Sequence, residues 1–220
     1  MAAILTSDFD GTAVNKLTPR FWQPVIVARN MGKWGLDMIS GYDDFVYGAL
    51  SLGGIDHLGY LTVRKEWLRR RVTEKTIITH DLDAFGKNAG SVFYAGNESD
   101  KGKHLSEMAK KREPDVVGML EDMPNKLVPE LIRHVGPDAF RSDLDIKVVV
   151  GVVNHTEQLE RIEQVVATTE GKGLPASRWG EIAVGETLGF SWPGFTLEIA
   201  ALPPYSYDAG VEFGKKLLTT

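Results

Sequence analysis

The sequence predicts an α/β fold: a doubly wound parallel sheet carrying a small, mostly helical insertion. Two observations predict it. Short apolar, β-rich runs alternate along the chain with amphipathic segments of helical period. The runs are nearly continuous in their hydrophobicity, as strands covered on both faces require. Residues 3–7, A-I-L-T-S, form the first run. Lys75–Thr79, Ser91–Ala95, Asp115–Leu120 and Ile146–Val153 follow as further strands. Asp100–Lys111, Asn125–His134 and Glu157–Thr168 read as helices between them, the first with Leu105 and Met108 on one face. The stretch from Val25 to Arg71 reads as mostly helical, interrupted by glycines. Beyond Gly171, Glu181–Val184 and Phe195–Ala201 read as antiparallel strands and Tyr207–Leu218 as a closing helix. No internal repeat or low-complexity linker separates independent domains.

Composition narrows the class of function. The chain has 220 residues, 43% hydrophobic and 25% charged, with a formal net charge of −5, an ordinary globular balance. No long basic run is present, so a duplex nucleic-acid surface is not indicated, and Arg69, Arg70 and Arg71 make only a local patch. The absence of cysteine removes disulfides, thiolate metal sites and cysteine nucleophiles. Met1 leads straight into an apolar run without the basic start of a signal peptide, and no run approaches the roughly 20 apolar residues of a membrane span. A soluble, cytoplasmic protein without membrane partners is therefore expected.

Polar clusters fall where strands end, at the carboxyl edge where open α/β sheets bind ligands. The first is Asp8-Phe9-Asp10-Gly11-Thr12. Two carboxylates two residues apart at a strand end can face one pocket. Gly11 lets the backbone turn there or approach an anion, and Thr12 begins a segment whose amides favour negative ligands. This grouping suits phosphoryl transfer: one carboxylate attacks phosphorus, the other protonates the leaving oxygen, and a metal offsets the crowded negative charge. As a turn alone, D-F-D-G-T is also ordinary, since Asp and Gly are common turn residues.

An apolar strand followed by D-F-D-G-T resembles the first motif of the haloacid dehalogenase-like (HAD) hydrolase superfamily. The resemblance implies that Asp8 forms an aspartyl-phosphate and that Asp10 is the general acid and base. Thr79, ending K-T-I-I-T, is similar to the second motif, a hydroxyl that binds the phosphoryl group. Lys101, in D-K-G-K-H-L, is similar to the third motif's lysine, with Lys103 as its competitor. Asp122, in V-V-G-M-L-E-D-M-P-N, is similar to the fourth motif, which holds magnesium, with Glu121 secondary. The implied metal set is Asp8, Asp10, Asp122 and Glu121 around Mg2+. Gly11, Thr12 and His80 are the candidate substrate-binding residues, although His80 and Asp81 also read as a helix cap. The likeness covers residues 3–15 and 75–153.

Some sixty residues separate Thr12 from Thr79. By the same resemblance, residues 16–74 are expected to form a cap that chooses the substrate. The core is then 1–15 and 75–220, with 171–220 an extension of unassigned role. The expected activity is a magnesium-dependent phosphatase acting on a small phosphorylated metabolite. A phosphomutase or phosphotransferase, a nucleic-acid end phosphatase and a non-catalytic protein of the same fold are the alternatives. T-P-R-F-W and I-I-T-H-D-L-D-A-F carry a loose similarity to HAD proteins of nucleic-acid end repair. His57, His104, His134 and His155 lack metal-ligand spacing, and the glycines form no phosphate loop followed by Lys-Ser/Thr.

Overall fold

A computed structural model describes residues 2–9, 11–13, 38–62, 75–88, 90–95, 101–112, 114–124, 126–128, 131, 146–153, 184–192 and 194–219. Its strands are β1 (Ala3–Asp8), β2 (Ile55–Thr62), β3 (Ser91–Tyr94), β4 (Val116–Glu121), β5 (Ile146–Val152), β6 (Thr187–Trp192) and β7 (Phe195–Ala201). Its α-helices are α1 (Tyr42–Leu50), α2 (Lys75–Phe85), α3 (Lys101–Arg112) and α4 (Tyr207–Leu218). The strands form one seven-stranded sheet in the order β3-β2-β1-β4-β5-β7-β6. All neighbours are parallel except β6 and β7, which pair antiparallel at one edge. The α/β class and the mostly parallel sheet agree with the expectation from sequence. Among the described residues, no helix is long and apolar enough to cross a membrane.

The pleat explains the near-continuous apolar strands. Successive side chains enter opposite faces, and both faces are covered. Ile4, Val117, Met119, Val148 and Val150 join one core with Leu105 of α3, Leu127 and Leu131. Ala3, Leu5, Val116, Leu120 and Val149 join the other with Phe45 and Val46 of α1 and Phe213 and Leu217 of α4. On that second face Gly118 and Gly151 leave shallow seats. Leu217 Cδ1 lies 2.9 Å from where a Gly118 Cβ would stand, and Phe213 Cε2 lies 3.1 Å from the equivalent point at Gly151. Helix α4 begins at Ser206, whose Oγ accepts from the Ala209 amide at 3.2 Å, and Lys215 and Lys216 occupy its last turn, favourable against the helix dipole.

Three expectations are corrected here. Lys75–Thr79 is not a strand but the first part of α2. Its β-branched composition is a weak preference that tertiary context overrides. The second strand is instead Ile55–Thr62, inside the stretch read as helical. It carries a bulge, since Leu5 pairs with His57 while Thr6 pairs with Gly59, and Gly59 adopts φ 99° there. The boundary at residue 74 fails for the same reason. β2 hydrogen-bonds directly to β1, and α1 packs on α4, so residues 38–62 belong to the core and not to a separate cap. The rest of 16–74 lies outside the described residues. At the C-terminus the pair of strands is β6 and β7, with β7 docked parallel on β5, so 184–219 is part of the same sheet and core. The helices expected at Asn125–His134 and Glu157–Thr168 lie partly and wholly outside the described residues.

Candidate functional site

The strand order reverses between β1 and β4, and ligand crevices open outside the carboxyl ends of strands at such a switch point. Ser7 is paired with Leu120, so Asp8 and Glu121 come next on adjacent strands, with Asp122 following. The carboxylates of Asp8, Glu121 and Asp122 each offer an oxygen within 4.8 Å of the others, and all three residues are buried. Lys101, the first residue of α3, reaches into this group. Its Nζ lies 2.9 Å from Asp8 Oδ1 and donates to Glu121 Oε2 at 3.0 Å. Glu121 is held from the other side, its Oε1 accepting the Met123 amide at 3.0 Å.

Burial distinguishes the two candidate lysines. Lys101 is 2% exposed, whereas Lys103 is 59% exposed and faces Glu107 at 4.0 Å. A lysine that surrenders its hydration must be repaid by charge, and Lys101 meets two carboxylates. The carboxylates remain in excess all the same. Burial pushes the Asp8 carboxyl well above the usual range; Glu121 and Asp122 push the same way, and Lys101 pulls it back. Glu121 is also raised by its burial, with Lys101 again opposing. Three carboxyl groups meet one ammonium, and the donors are all oxygens. That set could hold a hard divalent cation.

The turn after β1 is tight. Gly11 has φ 89°, and the Ala13 amide donates to the Phe9 carbonyl at 3.2 Å. Phe9 is fully buried, its ring edge-on to Tyr60 with centroids 5.6 Å apart. Thr12 is also fully buried, and its Oγ1 has no hydrogen-bond partner. Asp10, the proposed acid and base, lies outside the described residues.

Thr79 is not at a strand end but on helix α2, so the geometry does not support its assignment as the phosphoryl-binding hydroxyl. The hydroxyl residue that does end a strand beside β1 is Thr62. It ends β2 one position beyond Leu61, the partner of Asp8, and is buried at the same edge. Its signal was in the sequence: I-D-H-L-G-Y-L-T is a β-rich run ending in Thr, obscured by the glycine at its bulge. His80 is likewise not placed with the acidic group. Its Nε2 lies 3.0 Å from Asp43 Oδ1 on α1, and that carboxylate raises the imidazole above its ordinary value.

Asp81, next to His80, points inward and has no exposed surface. It accepts from Tyr60 Oη at 2.8 Å and from the Gly90 amide at 3.2 Å, with His57 Nδ1 at 4.0 Å. Burial nevertheless pushes its carboxyl up to about 6. A raised carboxyl binds its proton more tightly folded than unfolded, so its effect on stability is nil below about pH 4 and unfavourable above about 6. The change across that window is about 3 kcal/mol for this single group. His80, also raised, contributes stability at low pH that is lost as its folded value is passed, and so acts in the same direction. Denaturant titrations from pH 4 to 7 are expected to show this loss, with a shallower slope in Asp81→Asn. An equal slope in the variant would refute the assignment.

No family model, curated protein or solved structure matches the chain.

Proposed function

We propose that this chain is a metal-dependent phosphatase that hydrolyses a phosphate monoester of a small metabolite through an aspartyl-phosphate on Asp8. The observation that carries this reading is the buried group of Asp8, Lys101, Glu121 and Asp122 at the switch point of a parallel sheet. A structural ion pair needs one carboxylate for one lysine. Burying further carboxylates beside it costs stability unless they have a ligand to hold.

Each residue then has a task. Lys101 holds Asp8 Oδ1, favours the ionised carboxylate and fixes its direction, leaving the other oxygen to attack phosphorus. Glu121, bonded to both Lys101 and the Met123 amide, keeps the lysine in place. Asp8 and Asp122, with Glu121 beside them and Asp10 as the resemblance implies, would hold magnesium, which when bound supplies positive charge against the phosphoryl oxygens. Thr62 and Thr12 stand at the same edge, where their hydroxyls would receive those oxygens. As the Asp8–phosphorus bond forms, the ester oxygen leaves with a proton from Asp10. Water, deprotonated by Asp10, then cleaves the acyl phosphate and releases inorganic phosphate. The burial that raises Asp8 also strengthens each of these charge interactions once water is excluded.

The test is phosphate release from sugar phosphates, nucleotides, phosphorylated acids and end-phosphorylated oligonucleotides. Activity is expected on at least one small monoester, to vanish in EDTA and to return with magnesium. Full activity in the chelator would remove the metal from the scheme, and no release from any substrate would remove the phosphatase reading itself.

A further inference from the structure

We propose that Tyr205, in the C-terminal segment, is a positioning residue for the Asp8 turn. Resting on the phosphatase reading for its effect on rate, the proposal stands on a contact between segments far apart in sequence. Tyr205 Oη donates to the carbonyl of Thr12 at 3.1 Å, across 193 residues of sequence. That carbonyl sits directly after Gly11, on the turn closed by the Ala13–Phe9 hydrogen bond. The phenol therefore grips the same turn that carries Asp8 at its start.

The ring that delivers this hydroxyl is itself held. Tyr42 meets it edge-on with centroids 5.6 Å apart, and Phe45 lies 4.9 Å away. Backbone contact reinforces the stack, since a Cβ at Gly41 would stand 2.4 Å from the Tyr205 carbonyl oxygen. Tyr42 adds a second grip, donating from its own Oη to Ser7 Oγ at 2.9 Å. Asp8 is thus flanked by two phenol contacts, one on the residue before it and one on the turn after it. Both phenols pack with the same apolar cluster as α1 and α4.

The character of the group matches this role. Burial, together with Tyr42 and the carboxylates of Asp122, Asp8 and Glu121, pushes the Tyr205 phenol well above its ordinary range. The group stays a neutral donor beside the acidic cluster. It adds no charge, and its bond goes to backbone and not to a carboxylate, so it governs where the turn sits and not how it is charged. Displacements of about 1 Å at an attacking group can lower rates by about 100-fold. Loss of one hydrogen bond at the turn is expected to give a smaller change.

Tyr205→Phe removes only the oxygen and keeps the ring stack. On the best substrate from the phosphate-release screen, kcat is expected to fall about 10-fold with KM within about two-fold. The melting temperature should stay near that of the wild type, and amide exchange at Ala13 should quicken. Tyr207→Phe, whose ring packs on the exposed Tyr47, is the control and should match wild type in all four measurements. Unchanged kcat, unchanged Ala13 exchange, or a loss of activity that merely follows a lower melting temperature overturns the proposal. If the wild-type protein releases no phosphate at all, the phosphatase reading falls, while Ala13 exchange still decides whether Tyr205 holds the turn.

Discussion

Asp8→Asn is expected to abolish phosphate release, by at least about 10⁴-fold or 5.4 kcal/mol of barrier. The amide is nearly isosteric, so the turn and the strand remain. What goes is the anion that attacks phosphorus, together with one ligand of the metal. The same change should make the metal-free protein more stable. The Asp8 carboxylate is buried against Glu121 and Asp122 and is only partly offset by Lys101; a neutral amide removes that repulsion and leaves Lys101 to Glu121. Added magnesium should raise the melting temperature of the wild type by preferential binding to the folded state, and do so much less in the variant. Intact-mass analysis after rapid quench should find phosphate on the wild type alone. Near-normal turnover in Asp8→Asn, or phosphate on a serine or histidine, would end the proposed mechanism.

The largest effect on the fold is expected at Gly210. Helices α1 and α4 touch backbone to backbone, and a Cβ on Gly210 would lie 1.9 Å from the Phe45 carbonyl oxygen. Gly48 meets the Tyr207 carbonyl in the same way, at 2.2 Å. No flexible side chain can yield at either point, so the helices must move apart. Gly210→Ala is expected to cost about 3–5 kcal/mol, at the upper end of overpacking effects. Gly189, on β6, has nothing within 4 Å of its added Cβ, and Gly189→Ala should change little. Urea titrations of both variants decide the matter. Equal midpoints would mean that the helix contact is looser than described.

Much of this was readable in the residues, and the exceptions have physical causes. β4 and β5 announced themselves because strands buried on both faces are apolar throughout, and Tyr207–Leu218 because its buried residues recur at helical spacing. β2 was hidden by the bulge glycine and by its setting among other glycines. Lys75–Thr79 misled because β-branched residues indicate a pleated, packed surface only when one is present, and at α2 none is. Asp8 was singled out by its strand-end motif, and Lys101, Glu121 and Asp122 by the motif order that the resemblance implies; the structure brings the four together. Thr62 was missed together with its strand. Tyr205 could not be found in this way, since a hydroxyl that meets a carbonyl 193 residues distant leaves no local pattern.

The position of β7 has a consequence for how the protein is made. Strand β5 is synthesised well before its neighbour β7, and the seats at Gly118 and Gly151 are synthesised before α4 comes to fill them. A nascent chain that has just emerged through β5 carries an unpaired sheet margin and an uncovered apolar face, the features that invite pairing with other chains. Assembly of the Asp8 turn with its Tyr205 contact waits until residue 205 has left the ribosome. Stalled or clipped products ending before residue 184 would therefore be prone to aggregate, and their removal would depend on chaperones and proteases that recognise that open margin.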